Sequence, residues 1–244
     1  GKKNFIGRLD ELFSTSSQLM GKNQVDITGL IGQYAHGNEP SHHMAYLYCY
    51  AGQPWKTQKL VRKIMDEMYT SKPDGLCGNE DCGQMSAWYI LSAAGFYPVC
   101  PGSTQLVIGS PLFSKITFNL ENGKYFSVVA ENNSPENIYI NSASLNGKPI
   151  TRCWIDYNEI MAGGELRLAM SPTPNSGWGS TDADMPTSSI DEHFIATAPA
   201  FNTSTKTYMD SLQLTLTTVQ PQASTFYSVA EINHPEAIPI WTQG

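Results

Sequence analysis

The apolar spacing of this 244-residue chain changes once, near residue 100, and that switch limits the folds open to it. Up to that point apolar side chains recur every three or four residues, the period of a helix with one buried face. Beyond it they fall into short β-branched and aromatic runs divided by turn residues, the mark of strands. Helices first and strands afterwards describe an α+β chain.

The helical part offers four segments. Phe5, Leu9 and Leu12 keep the i, i+4, i+7 spacing, with Ile6 and Phe13 beside them. Residues 41–50 form a second candidate after the turn Gly37-Asn38-Glu39-Pro40. Pro54 opens a third at a first-turn position, where its missing N–H costs nothing. Its buried face is Thr57, Leu60, Val61, Ile64, Met65 and Met68. Residues 84–94 form a fourth, stopped by Gly95 as a C-cap. Four helices can make a small bundle. Their loops, however, hold more polar and aromatic residues than a bundle needs, which suits one side of a larger helical assembly.

After residue 100, strands are expected at 105–108, 115–118, 125–129, 137–140, 150–155 and 165–170, as an antiparallel sheet or sandwich. The pair Asn146-Gly147 marks a hairpin. Residues 171–177 read as loop, and the Ser/Thr/Asp-rich stretch 180–189 as a linker. The expected divisions are therefore a helical part at 1–100, a β-rich segment at 101–180, and a small, incomplete β-sandwich-like appendage at 190–244.

Composition excludes several functions. Fifteen basic against twenty-two acidic residues give a net charge of −7, a poor basis for a nucleic-acid partner. No apolar run reaches the ~18 residues of a membrane span. The five cysteines are too sparse for a disulfide scaffold, and Cys77 and Cys82 lack the spacing of a zinc knuckle.

Two loops carry the chemistry: residues 36–43, HGNEPSHH, and residues 74–88, DGLCGNEDCGQMSAW. Both set carboxylates and amides at a helix start, where negative charge is favoured. Capping alone accounts for one oxygen per loop, from Ser41 or Asp81. Each loop offers more than one, with a glycine that admits close approach. Oxygen-rich loops without clustered cysteine suit a hard cation such as Ca2+. The EF-hand spacing is absent. His36, His42 and His43 could be zinc ligands, but adjacent His42 and His43 point apart on a helix and disfavour a shared metal; helix packing or hydrogen bonding to a polar ligand is the favoured role. Asn, Gln, acid and aromatic residues together also meet the needs of a sugar, whose hydroxyls need directional partners and whose faces need rings. Trp55, Trp88, Tyr34 and Tyr48 could serve, or be core.

At these loops the sequence resembles the glycoside hydrolase family 92 α-mannosidases. The likeness is carried by HGNEPSHH (36–43), YAGQPWKTQKLVR (50–62), GNEDCGQMSAWYILSAAGFYPVCPGS (78–103), IGSPLF (108–113), and Pro174-Asn175 with Trp178-Gly179. It runs from about Phe5 to Gly179. The resemblance implies a calcium-dependent, inverting exo-α-mannosidase, often α-1,2-specific, with an N-terminal β-sandwich and an (α/α)6 catalytic barrel. It implies Asp81 as the general base, with Glu80 of the same motif assisting. It implies His36, Asn38, Glu39, Asn79 and Trp88 as substrate-binding residues, and Asn38 and Glu39 as calcium ligands.

The family's general acid lies on a Trp-x-Glu-Gly stretch upstream of HGNEPSHH, and no such stretch precedes His36 here. The expectation is a C-terminal piece of a larger enzyme. Its partners would be mannose-containing glycans and the missing N-terminal portion, and alone it would be weakly active or inactive. Its place, by resemblance, is the bacterial periplasm, the cell envelope or outside the cell. The alternative is a non-catalytic carbohydrate-binding or structural module. Residues 190–244 lie outside the match; they faintly resemble the small β-sandwich appended to some bacterial chitobiases and hexosaminidases, or are an ordinary β-rich appendage.

Overall fold

A computed structural model describes residues 1–18, 27–187, 198–203, 207–218, 224–227 and 242–243. Helix α1 (Lys2–Ser14) forms where the spacing predicts it, but of its apolar residues only Leu9 is buried. Phe13 reaches inward against the rings of Tyr34 and Tyr48, at 5.1 and 6.1 Å between centroids. A small hairpin follows, β1 (Leu30–Ile31) with β2 (Tyr34–Ala35). Helix α2 (Pro54–Met68) starts on Pro54 and buries Val61, Ile64, Met65 and Met68. Helix α3 (Gln84–Ala94) ends on Gly95, whose φ of 106° is the left-handed cap expected of a glycine.

The second expected helix takes another form. Glu39–Ser41 is a single 3-10 turn, and Met44–Ala51 is a longer 3-10 helix. Ala45, Tyr46, Tyr48, Cys49 and Ala51 are all buried there. The partly exposed residues, Met44, Leu47 and Tyr50, recur every three residues, the period of a 3-10 helix.

Strand β3 (Phe96–Tyr97), β4 (Gln105–Ile108) and β9 (Trp154–Asp156) form one antiparallel sheet in the order β3-β4-β9. The larger sheet has β5 (Lys115–Asn119), β6 (Tyr125–Glu131), β7 (Tyr139–Leu145), β8 (Lys148–Ile150) and β10 (Gly164–Ser171). The hairpin at Asn146-Gly147 is present, with φ of 51° and 76° at the two turn residues, as a primed turn requires.

The strand order β5-β6-β10-β7-β8 corrects the antiparallel expectation: β10 pairs parallel to β6. The chain leaves β6, makes the β7–β8 hairpin, crosses through β9 and helix α4 (Tyr157–Met161), and re-enters between β6 and β7. Alternate residues Phe126, Val128 and Ala130 of β6 and Leu166, Leu168 and Met170 of β10 face the core. Arg62, 4% exposed, ties α2 to this part: its Nε donates to Pro111 O at 3.1 Å, and its Nη2 donates to Asn133.

The stretch expected as a linker is packed through Thr187. Asp184 accepts from Thr151 and Thr181, both at 2.5 Å, and its carbonyl accepts from Cys153 N. The linker's end, 188–189, lies outside the described residues. Chain contacts divide the protein into two compact units, Gly1–Ser188 and Ser189–Gly244. In the second, β11 (Ala200–Phe201) pairs with β12 (Leu216–Thr217), and β13 (Phe226–Tyr227) with β14 (Thr242–Gln243). Among the described residues no helix is long and apolar enough to cross a membrane.

Candidate active site

The β1–β2 hairpin aims the first loop. His36 N and Gly37 N continue its ladder by donating to Gly29 O and Thr28 O. Pro40 then fixes the 3-10 turn that carries Glu39. The second loop leaves α2 through a bridge between Tyr69 and Leu76. It turns into α3 through three consecutive left-handed residues: Asp81 (φ 48°), Cys82 (φ 56°) and Gly83 (φ 93°). For the two non-glycine residues this conformation costs about 1–2 kcal/mol each, and such strain gathers at functional sites.

The two loops meet at their glycines. A Cβ on Gly78 would lie 2.8 Å from Gly37 Cα and 2.9 Å from Gly37 O. The repeated tripeptides Gly37-Asn38-Glu39 and Gly78-Asn79-Glu80 are therefore in backbone contact at their first residues.

Beneath this junction lies a buried aromatic cluster. His36 is fully buried between two tyrosines, its Nδ1 2.7 Å from Tyr34 Oη and its Nε2 2.6 Å from Tyr69 Oη. Tyr69 spends its own proton on Met85 O at 3.1 Å. It must therefore accept from His36 Nε2–H, which leaves Nδ1 to accept from Tyr34. Burial first, and neighbouring His42 second, push the His36 pKa down to about 3. His42 stacks on His36 at 4.6 Å between centroids, and burial lowers its pKa as well. Its Nε2 donates to His36 O at 3.0 Å, and its Nδ1 accepts from Gln84 Nε2 at 3.1 Å. Trp88, also fully buried, donates its indole N–H to His42 O at 3.1 Å.

The structure thus sorts the expected site residues into two layers. Asn38, Asn79, Glu80 and Asp81 are exposed, and Glu39 is half-buried beside them. His36 and Trp88 have no exposed surface and support the loops from below. Glu80 commits both carboxylate oxygens to α3, accepting from Ser86 N at 3.1 Å and Ser86 Oγ at 2.9 Å. No described residue donates to the Asp81 carboxylate.

Glu39 Oε1 is buried without a hydrogen-bond partner, an acceptor waiting for a donor or a cation. With Asn38 preceding it in the chain, this fits part of the six to eight oxygens that calcium takes. Among the described residues no group of three or more His, Cys, Asp and Glu converges on one metal position. The remaining oxygens would have to come from backbone, water or ligand.

Sequence reasoning missed Tyr69, Tyr97 and Gln84. Only Gln84 left a signal: it stands three residues after Asp81, at the first position of α3.

Comparison with known proteins places the chain in a family. The glycosyl hydrolase family 92 catalytic domain matches residues 1–172. An uncharacterized secreted glycosidase of Arthroderma benhamiae is 30% identical over 191 residues, 77% of this chain and 22% of that protein. A family 92 α-mannosidase from Bacteroides thetaiotaomicron, solved in complex with mannoimidazole, superposes with a TM-score of 0.74 at 46% identity, over 77% of this chain and 25% of that one. An inverting mannosidase of the same family from Bacteroides thetaiotaomicron VPI-5482 gives 0.67 at 45% identity, over 77% of this chain and 27% of that one. The chain thus spans about a quarter of the length of these relatives. With the family's catalytic-domain pattern covering the two loops, the three sheets built from β1 to β10 and helices α1 to α4, this chain belongs to glycosyl hydrolase family 92.

Proposed function

We propose that this chain is the C-terminal part of the catalytic module of an inverting exo-α-mannosidase acting on mannose-containing glycans outside the cell. The observation that carries this is the pair of Gly-Asn-Glu loops in backbone contact, with Asp81 exposed on a strained turn beside them. Helices α1 to α3 would form one side of an (α/α)6 barrel completed by the portion of longer relatives that this chain does not span.

Inversion needs one carboxylate to activate water and a second, about 6.5–9.5 Å away, to protonate the leaving oxygen. Asp81 is the base in this reading. Its carboxylate is uncommitted, and it stands on the left-handed turn that leads into α3. Glu80 belongs to the same motif and assists by holding that turn. Asn38, Glu39 and Asn79 present amide and carboxylate groups that can grip sugar hydroxyls, α-1,2-linked mannose being the proposed substrate. His36 and Trp88 hold these loops in register. Asn38 and Glu39 would also hold calcium, which when bound would polarise and orient the sugar hydroxyls. The acid would come from the portion of longer relatives that this chain does not span. Without it the usual acid contribution of about 10²–10⁴-fold is lost.

The test is mannose release from α-1,2-mannobiose, and mannoimidazole binding by calorimetry, each with calcium and with chelator. The expected result is calcium-dependent binding with weak or no release, and loss of any release in Asp81→Asn. Release that persists in Asp81→Asn refutes the base. Release rivalling an intact family member refutes the missing acid.

A further inference from the structure

We propose that Gln84 is a positioning residue that fixes the Glu39 loop against the Asp81 loop. The proposal rests on the mannosidase reading above. Each acid is followed three residues later by one member of a hydrogen-bonded pair. His42 follows Glu39 and Gln84 follows Asp81, with 3.1 Å between Gln84 Nε2 and His42 Nδ1. The second Nε2 proton points to Tyr97 Oη, also at 3.1 Å. Tyr97 is anchored in the core, stacked on buried Tyr46 at 5.2 Å between ring centroids.

The chemistry at this point demands a double donor. His42 Nε2 donates to His36 O, so its Nδ1 offers only a lone pair. One side-chain amide satisfies that lone pair and the Tyr97 oxygen together. Carboxylates and apolar side chains of similar length do not. The bond is a direct side-chain link between the two acid-bearing loops. Of the other ties, Gly37–Gly78 is a van der Waals contact and Trp88–His42 ends on a backbone carbonyl. Misplacing reacting groups by about 1 Å can cost 10²-fold in rate, so a link that sets this spacing acts on the chemistry without touching the sugar.

The test uses Gln84→Met in the full chain, since Met fills similar space and donates nothing. Tyr97→Phe serves as a second variant that removes only the far partner. The readouts are mannoimidazole affinity, the 15N resonance of His42 Nδ1, and the melting temperature. Expected are a roughly tenfold weaker affinity in Gln84→Met, the size of about one net hydrogen bond, and a His42 Nδ1 resonance moved to that of an unbonded ring nitrogen. Tyr97→Phe should show a smaller loss of affinity. Wild-type affinity in a folded Gln84→Met overturns the proposal, as does an unmoved Nδ1 resonance. Failure of the wild-type chain to bind mannoimidazole would instead overturn the mannosidase reading; the Nδ1 resonance would then decide the link by itself.

Discussion

Replacing Gly78 by alanine tests the junction on which the whole site depends. The new methyl group would stand 2.8 Å from Gly37 Cα and 2.9 Å from Gly37 O, and both are backbone atoms that cannot rotate aside. Gly78 has an ordinary negative-side or extended backbone, so conformational strain adds nothing and the effect is contact alone. Forcing an extra carbon into such a contact costs about 1–3 kcal/mol. For a unit of this size each kcal/mol moves Tm by about 2–4 °C, so the melting of the Gly1–Ser188 unit should fall by about 2–12 °C. Gly123→Ala is the matched control. Gly123 has a φ of 78° with nothing within 4 Å of a new Cβ, so it isolates backbone strain, about 1–2 kcal/mol, far from the site. Calorimetry on both variants, with mannoimidazole titrations, should show ligand binding impaired in Gly78→Ala and intact in Gly123→Ala. A Gly78→Ala protein that melts within about 1 °C of wild type, well below the overpacking range, and binds as wild type would refute the contact between the loops.

Glu80→Gln keeps an acceptor for Ser86 N and a polar partner for Ser86 Oγ, so mannoimidazole affinity and α3 stability should hold near wild type; Glu80→Ala should lose about 1–2 kcal/mol of helix-start stability, read as faster amide exchange at Ser86. A well-folded Glu80→Gln that no longer binds mannoimidazole would make Glu80 a ligand-contacting carboxylate rather than a support of the turn. Acid should destabilise the fold through His36: the unfolded ring takes a proton below pH 6.5 while the buried ring stays neutral down to about 3. Each pH unit in that window therefore removes about 1.4 kcal/mol, and denaturant titrations at pH 7.5 and 5.5 should differ by at least that amount, with the slope reduced in His36→Gln. Equal stability at the two pH values would contradict a neutral His36. Arg62→Met should cost about 1–3 kcal/mol, because it strands the buried Pro111 O and takes the donor from the half-buried Asn133 amide oxygen; a loss well under about 1 kcal/mol would mean that water replaces the guanidinium.

What the sequence disclosed and what it withheld divide along the range of the interactions. Helix α3 was legible because both of its signals are local, an apolar run and a terminal glycine. The Asn146-Gly147 hairpin was legible for the same reason, since its turn chemistry is held in two residues. The parallel pairing of β6 with β10 was not, because nothing in either strand says that α4 carries the chain back in the same direction. The 3-10 path of Met44–Ala51 was hidden because its partly exposed positions, Met44, Leu47 and Tyr50, are as apolar or aromatic as its buried ones, so no period shows in the sequence. The site shows the same division. Its loops were found from their composition, but the roles within them are set by neighbours distant in sequence. His36 and Trp88 look like ligand-facing groups in a list of residues, yet Tyr34, Tyr69 and the His42 carbonyl claim their polar atoms and bury them. Glu80 and Asp81 are adjacent acids in one motif, and only the left-handed turn separates them, sending one carboxylate back to Ser86 and leaving the other exposed. The repeated Gly-Asn-Glu was the one visible trace of the long-range contact. A glycine reports that something must approach closely: at Gly78 it is the Gly37 backbone, and at Gly37 it is Thr28 and the Cys77 carbonyl that precedes Gly78.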